Sequence, residues 1–249
     1  MGDKLLSPPL MEALCEFKFA PSAPWDWTFP GRLYDQLAGE FPVHSQVDGV
    51  GVQIHFGPDK PVSSQVIKGP DRIQMKRTDG SAMVQVGPHL LAVNHLRPYS
   101  DWESFRALIL RVFEKYIKLS GECSLERIGL RYINQIQSIK VDTGRVGELI
   151  SVTPSLKGTL HRPLAGFYQR YEIIYEAPRG VLIHQTGIRN TEQGKALMLD
   201  LDFGSNELQG VCDQSAVKTW LDTAHEVVYD CFVTSLTREF YEELKGGNQ

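Results

Sequence analysis

No stretch of this 249-residue chain approaches the roughly 20 consecutive apolar residues that a membrane-spanning helix needs. The opening MGDKLLSPPLME also lacks the apolar core and small-residue cleavage pattern of a secretory signal. Charge of one sign is scarce: 26 Lys and Arg against 30 Asp and Glu give a net charge of -4. The basic footprint that a phosphate backbone demands is therefore missing, and nucleic acid is unsupported as a ligand. Cysteines are few and scattered, at Cys15, Cys123, Cys212 and Cys231, with no C-x-x-C pair. Cys15 falls on the apolar side of an alternating stretch and Cys231 in an apolar helical one, where a thiol acts as a small hydrophobe. These absences together predict a cytoplasmic, membrane-free protein without a disulfide framework.

Catalytic signatures are missing too. The chain has no G-x-S-x-G, no G-x-G-x-x-G, no phosphate-binding G-x-x-x-x-G-K-[ST] and no H-E-x-x-H. No cofactor is expected from motifs of this kind, and enzymatic activity has no sequence warrant.

What the chain does have is alternation. In EALCEFKF, residues 12–19, Ala13, Cys15, Phe17 and Phe19 share one side and Glu12, Leu14, Glu16 and Lys18 the other, the pattern of a half-buried strand. A short helix is predicted in GRLYDQLAGEF, ended by Pro42. Short alternating segments from Val50 to Leu96, punctuated by GPDK, KGPD, TDGS and GPH, predict an antiparallel meander. A long helix follows, with Ser100 as N-cap, Trp102, Phe105, Ile109, Val112, Phe113 and Tyr116 on one stripe and Gly121 as its stop.

The second half, residues 122–249, repeats the order of the first, residues 1–121. LERIGLRYINQIQ is a strand, VGELIS a short helix, AGFYQRYEIIYEA, GVLIHQTGIRN and ALMLDLDF three strands, and Ser215 to Leu244 one long helix. The predicted class is α+β: mainly antiparallel sheet with two long helices on one face, the halves packed as one unit. The repeated order has two readings, an internal duplication or the common recurrence of such units in α+β folds.

Several residues are candidates for chemistry. Asp200 and Asp202 in LMLDLDF project to one side of a strand, as two oxygen ligands for magnesium or calcium would, or else they form a solvated strand face. The tunnel triphosphatase pattern E-x-E-x-K, aligned on Leu14, Glu16 and Lys18, lacks its first acid. His225 is assigned to a solvated helix face between Asp222 and Glu226. In RIGLRYINQI, Arg127 and Arg131 project away from Ile128, Leu130 and Tyr132, with Arg131 set to pair with Glu16 or Asp200. Asn134 falls on the apolar side and needs partners, through a structural network or a ligand contact. Trp102, Tyr132, Tyr171 and Trp220 could line a small-molecule pocket, or be plain core, with Trp102 and Trp220 structural.

PPLMEALCEFKF, ERIGLRYINQI, LMLDLDF and WLDTAHEVVYDCFVTSLTREF, in that order, resemble a sporadically distributed prokaryotic family of this length. That family has no established activity, and some of its members lie near mobile or CRISPR-type defence loci. The resemblance implies a non-enzymatic accessory role with a protein partner, and it offers no catalytic residues. Self-association into a homo-oligomer is a further expectation. On this reading Glu12, Glu16, Lys18, Arg127, Arg131 and Asp202 form the partner-binding surface. The alternatives are a metal-dependent hydrolase of phosphate esters or nucleotides that uses Asp200 and Asp202, and a small-molecule sensor.

Overall fold

The computed structural model describes residues 5–21, 25–26, 28–47, 50–57, 60–68, 72–121, 123–137, 145–153, 166–192 and 194–246, with backbone alone for 50–57 and 60–68. Much of the Pro- and Trp-rich link after the first strand, and parts of the turns GPDK, KGPD and EQG, lie outside the described residues.

Among the described residues eleven strands and four α-helices follow one another along the chain. They are β1 (Leu10–Phe19), α1 (Phe29–Leu37), β2 (Val43–Val47), β3 (Val50–Gly57), β4 (Lys60–Lys68), β5 (Arg72–Lys76), β6 (Ala82–Gly87), β7 (Leu90–Leu96), α2 (Trp102–Ser120) and β8 (Leu125–Ile136). A 3-10 turn at Val146–Glu148 then precedes β9 (Tyr168–Glu176), β10 (Arg179–Thr191), β11 (Gly194–Ser205), α3 (Gln214–Ser235) and α4 (Arg238–Leu244).

Nine strands form one antiparallel sheet in the order β2-β5-β6-β7-β1-β8-β11-β10-β9, and β3 and β4 pair apart from it. The predicted meander is thus divided: β5, β6 and β7 join the main sheet while the two strands before them make a separate hairpin. The class is α+β with one large antiparallel sheet. On either side of the central β1–β8 pair the strands follow one plan, the first strand of each half beside the last strand of that half, followed outward by the strands that precede it.

Register sorts the side chains into two faces. Phe17 lies opposite Ile128, and Leu130 opposite Phe203, so these four share a face. Phe113 of α2 stacks on Phe17 at 4.7 Å between ring centroids, and Trp220 of α3 stacks on Phe203 at 5.9 Å. Phe113, Trp220 and Phe232 are buried, whereas Trp102 is only partly so. Asn134 is buried on this face and donates from Nδ2 to the Leu199 carbonyl at 3.2 Å.

Three expectations are corrected. The N-cap of α2 is Asp101, which accepts from the Ser104 amide at 2.7 Å, rather than Ser100. α1 closes at Leu37, ahead of Pro42. The last helix is two helices: Leu236 leaves the helical path to bridge Ile150, the Thr237 amide donates to the Leu149 carbonyl, and the Thr237 hydroxyl then caps α4 by accepting from the Phe240 amide. An uninterrupted apolar spacing conceals this break, because Leu236 is buried either way.

The predicted absence of disulfides is overturned. Cys123, just before β8, and Cys212, just before α3, are bonded across 89 residues with their Cα atoms 6.1 Å apart. Cys15 and Cys231 are free and buried, as expected. No helix among the described residues is long and apolar enough to cross a membrane.

Opening the Cys123–Cys212 bond, by reductant or by Cys123→Ser with Cys212→Ser, is expected to cost about 2–4 kcal/mol, seen as a lower thermal midpoint in wild type with reductant and no further reductant effect in the double variant. Trp220→Ala is expected to cost about 3–5 kcal/mol in denaturant unfolding, from the cavity left against Phe203.

Candidate functional site

Alternation sends Glu12, Glu16, Lys18, Arg127, Arg131, Asp200 and Asp202 to the face opposite the Phe17 and Phe203 contacts. The structure brings them together on three adjacent strands, β1, β8 and β11, and links them sideways to their neighbours.

Two ladders of polar side chains run across this face. In the first half, Gln74 donates to Gln85 at 3.2 Å, Gln85 donates to Asn94 at 3.1 Å, and Asn94 donates to Glu12, crossing β5, β6, β7 and β1. In the second, Tyr168 donates to Gln185, Gln185 donates to Asp200 at 3.4 Å, and Arg131 holds Asp200 through two bonds of 2.8 and 2.5 Å, crossing β9, β10, β11 and β8. A paired fork of this kind fixes orientation as well as charge.

Arg127 stands between the ladders. Its guanidinium lies 3.5 Å from Glu16 of β1 and 3.8 Å from Asp202 of β11. The floor under it is two glycines opposite each other in the β8–β11 register, Gly129 and Gly204. A Cβ at Gly204 would overlap Arg127 Nη2 and lie 2.8 Å from Cζ, and one at Gly129 would lie 3.1 Å from Nη1. A side chain at Gly204 would displace the guanidinium outright, and one at Gly129 would crowd it. Lys18, the most exposed of the set, reaches Glu16 at 3.9 Å.

Burial pushes the Asp202 carboxyl above its ordinary range, against the pull of Arg127 and Arg131. Asp200 is committed to Arg131. The two aspartates share a face as anticipated, yet each is answered by an arginine. Among the described residues no cluster of three or more His, Cys, Asp or Glu side chains is arranged to hold a metal.

A second cluster lies on the face that carries Phe17 and Phe203. The His225 ring stacks on Trp102 with centroids 4.2 Å apart and planes 7° from parallel, and its Nδ1 lies 2.9 Å from the Tyr132 hydroxyl. Asp222, one turn earlier, pairs with Arg106 of α2. The assignment of His225 to a solvated helix face is therefore corrected: its flanking acids face out, but the imidazole joins α3 to α2 and β8. Burial pulls it from its ordinary value down to about 4, despite the opposing effect of Asp222. Of the two readings of the aromatics, these four do not meet in one pocket: Trp102 and Tyr132 meet at His225, Trp220 stacks on Phe203, and Tyr171 is exposed on β9. His89 sits in the turn before β7 with a positive φ of 56°, away from the strand that carries His95.

No protein-family model matches the chain, and no curated protein is significantly similar to it.

The depressed His225 value sets a pH dependence. Between pH 6.5 and 4 the unfolded chain binds a proton at this ring and the folded chain does not, so stability falls as pH drops through that window. Wild type is expected to lose up to about 2 kcal/mol by pH 5 that His225→Gln does not lose, measured as the difference between their denaturant-unfolding free energies at pH 7 and pH 5.

Proposed function

We propose that this chain is a non-catalytic interaction module whose polar sheet face docks a protein partner, as an accessory component of the prokaryotic defence or CRISPR-associated setting that the sequence resemblance implies. One observation carries the reading. Acids and bases from β1, β8 and β11 alternate at fixed spacing, each held by a neighbouring strand. Such a surface meets a complementary one without first ordering its own side chains, and charged patterns of this kind set the specificity and rate of association.

Two further features support it. The ladders Gln74–Gln85–Asn94–Glu12 and Tyr168–Gln185–Asp200–Arg131 run through corresponding strands of the two halves. With the shared strand plan, they favour an internal duplication, both long helices lying on one face and the docking surface on the other. In a cytoplasmic setting the Cys123 and Cys212 thiols would be kept reduced, and α3 would be held to α2 by packing, by the Gln214 side-chain amide donating to the Leu110 carbonyl, and by the Arg106–Asp222 pair.

The docking surface is tested with the tagged chain purified from its host and the co-purifying partner then reconstituted from pure components. Gly204→Ala alters no charge but displaces the Arg127 guanidinium, and Arg131→Asp with Asp200→Arg keeps the pair while inverting it. Both variants are expected to melt within a few degrees of wild type, since partly exposed ion pairs contribute modestly once desolvation is counted, and to bind about tenfold more weakly in calorimetry. Recovery of the chain alone under mild conditions, or unchanged affinity in both variants, overturns the proposal.

A further inference from the structure

Beyond the polar face, the outer edge of the sheet has a chemistry of its own. Among the described residues β9 is the last strand of the sheet and pairs with β10 alone. Nine residues long, with sequence YQRYEIIYE, it contains none of the lysines, prolines or bulges that usually protect such an edge. Of the large hydrophobic side chains that are exposed among the described residues, five sit on β9 or next to it on β10: Tyr168 at 66%, Tyr171, Ile173, Ile174 at 76%, and Val181. The opposite edge, β2, has five residues, all exposed, of which two, Val43 and Val47, are large hydrophobics.

The free backbone groups of β9 can be identified. The Ile188 amide of β10 donates to the Phe167 carbonyl at 3.2 Å. With the β9–β10 register, Tyr168 opposite Gly187, this directs the backbone groups of Gln169, Tyr171 and Ile173 toward β10. Those of Tyr168, Arg170, Glu172 and Ile174 point away from the sheet.

We infer that β9 pairs antiparallel with β9 of a second copy of this chain, about a two-fold axis through Tyr171 and perpendicular to the sheet. Arg170 then lies opposite Glu172 of the second copy, and Glu172 opposite its Arg170. Tyr168 and Ile174, the two most exposed side chains of the strand, lie opposite each other twice. The outward-pointing residues fall together in the pairs that exchange backbone hydrogen bonds, while the two Tyr171 residues meet in a non-hydrogen-bonded pair. Neighbouring registers are worse. Centring on Arg170 or on Glu172 opposes like charges, and centring on Ile173 sets Glu172 against Ile174. Within one copy Arg170 already pairs with Glu172, so dimerisation converts two exposed pairs into one square of four charges. Because the axis is perpendicular to the sheet, the two polar faces continue one another on the same side.

The edge is tested by sedimentation velocity and light scattering of the full chain over a wide concentration range, with circular dichroism to verify folding. Wild type is expected to dimerise. Arg170→Glu and Glu172→Arg alone each place like charges opposite one another twice, and each is expected to weaken the dimer by roughly tenfold or more. Mixing these two variants should restore a one-to-one heterodimer, and the chain carrying both exchanges should again self-associate. Tyr171→Cys should cross-link two chains under mild oxidation, and Gln169→Cys, whose counterpart is Ile173, should not. A chain that stays monomeric, a dimer indifferent to both reversals, or cross-linking of the Gln169→Cys variant in place of the Tyr171→Cys variant overturns the inference. A monomer that takes up a foreign extended peptide along β9 overturns it as well, giving the edge to another protein's strand.

Discussion

The pairing of β1 with β8 is the contact on which the rest of the molecule depends. It joins the strands of residues 1–121 to those of residues 122–249, and its register decides what each face of the sheet carries. With Cys15 opposite Leu130 and Phe17 opposite Ile128, both strands turn their apolar sets to the side where Phe113 and Trp220 are received. Glu16 and Arg127 are turned to the other. A slip of one residue would bury the charges and expose the phenylalanines. Buried side chains such as Ala13, Cys15, Phe17 and Leu130 make that alternative prohibitive, so register is set chiefly by hydrophobic burial and the charged ladders inherit it.

The polar face stabilises the fold little and specifies much. Arg131 and Asp200 are half-exposed and partly buried respectively, and pairs of that kind contribute modestly after desolvation and ordering are counted. Their value is geometric. A carboxylate gripped by a guanidinium fork, and a guanidinium laid over two glycines, have fixed positions. The bare backbone at Gly129 and Gly204 gives up side-chain packing in two central strands, and what it yields is the placement of a single cation between Glu16 and Asp202.

The sequence made legible those elements whose burial is periodic. β1, β8 and β11 alternate cleanly, α2 carries an apolar stripe, and Arg131 is readable as the partner of Glu16 or Asp200, of which the fold selects Asp200. Elements defined by partners distant in sequence were hidden. β2, VHSQV, is exposed along its length, so no buried set marks it, and only its pairing with β5 makes it a strand. The end of α3 is dictated by Ile150, which competes for Leu236. His225 lies between acids that do face solvent, and nothing local tells that its ring finds Trp102 from a helix more than a hundred residues earlier. Cys123 and Cys212 are likewise silent: Cys15 and Cys231 stand out by their apolar neighbours, but nothing local joins two cysteines 89 residues apart.

That disulfide also alters the connectivity of the chain in a way no hydrogen bond can. From Cys123 to Cys212 the backbone and the sulfur bridge form a closed ring that contains all of β8, β9, β10 and β11. The first seven strands form one tail of this ring, and α3 with α4 the other. A single break in the backbone anywhere within the ring turns it into an open chain but releases nothing, whereas the same break in either tail separates two molecules. While the bridge is formed, the half of the protein that holds Arg127, Arg131, Asp200 and Asp202 is therefore the half whose pieces stay covalently one.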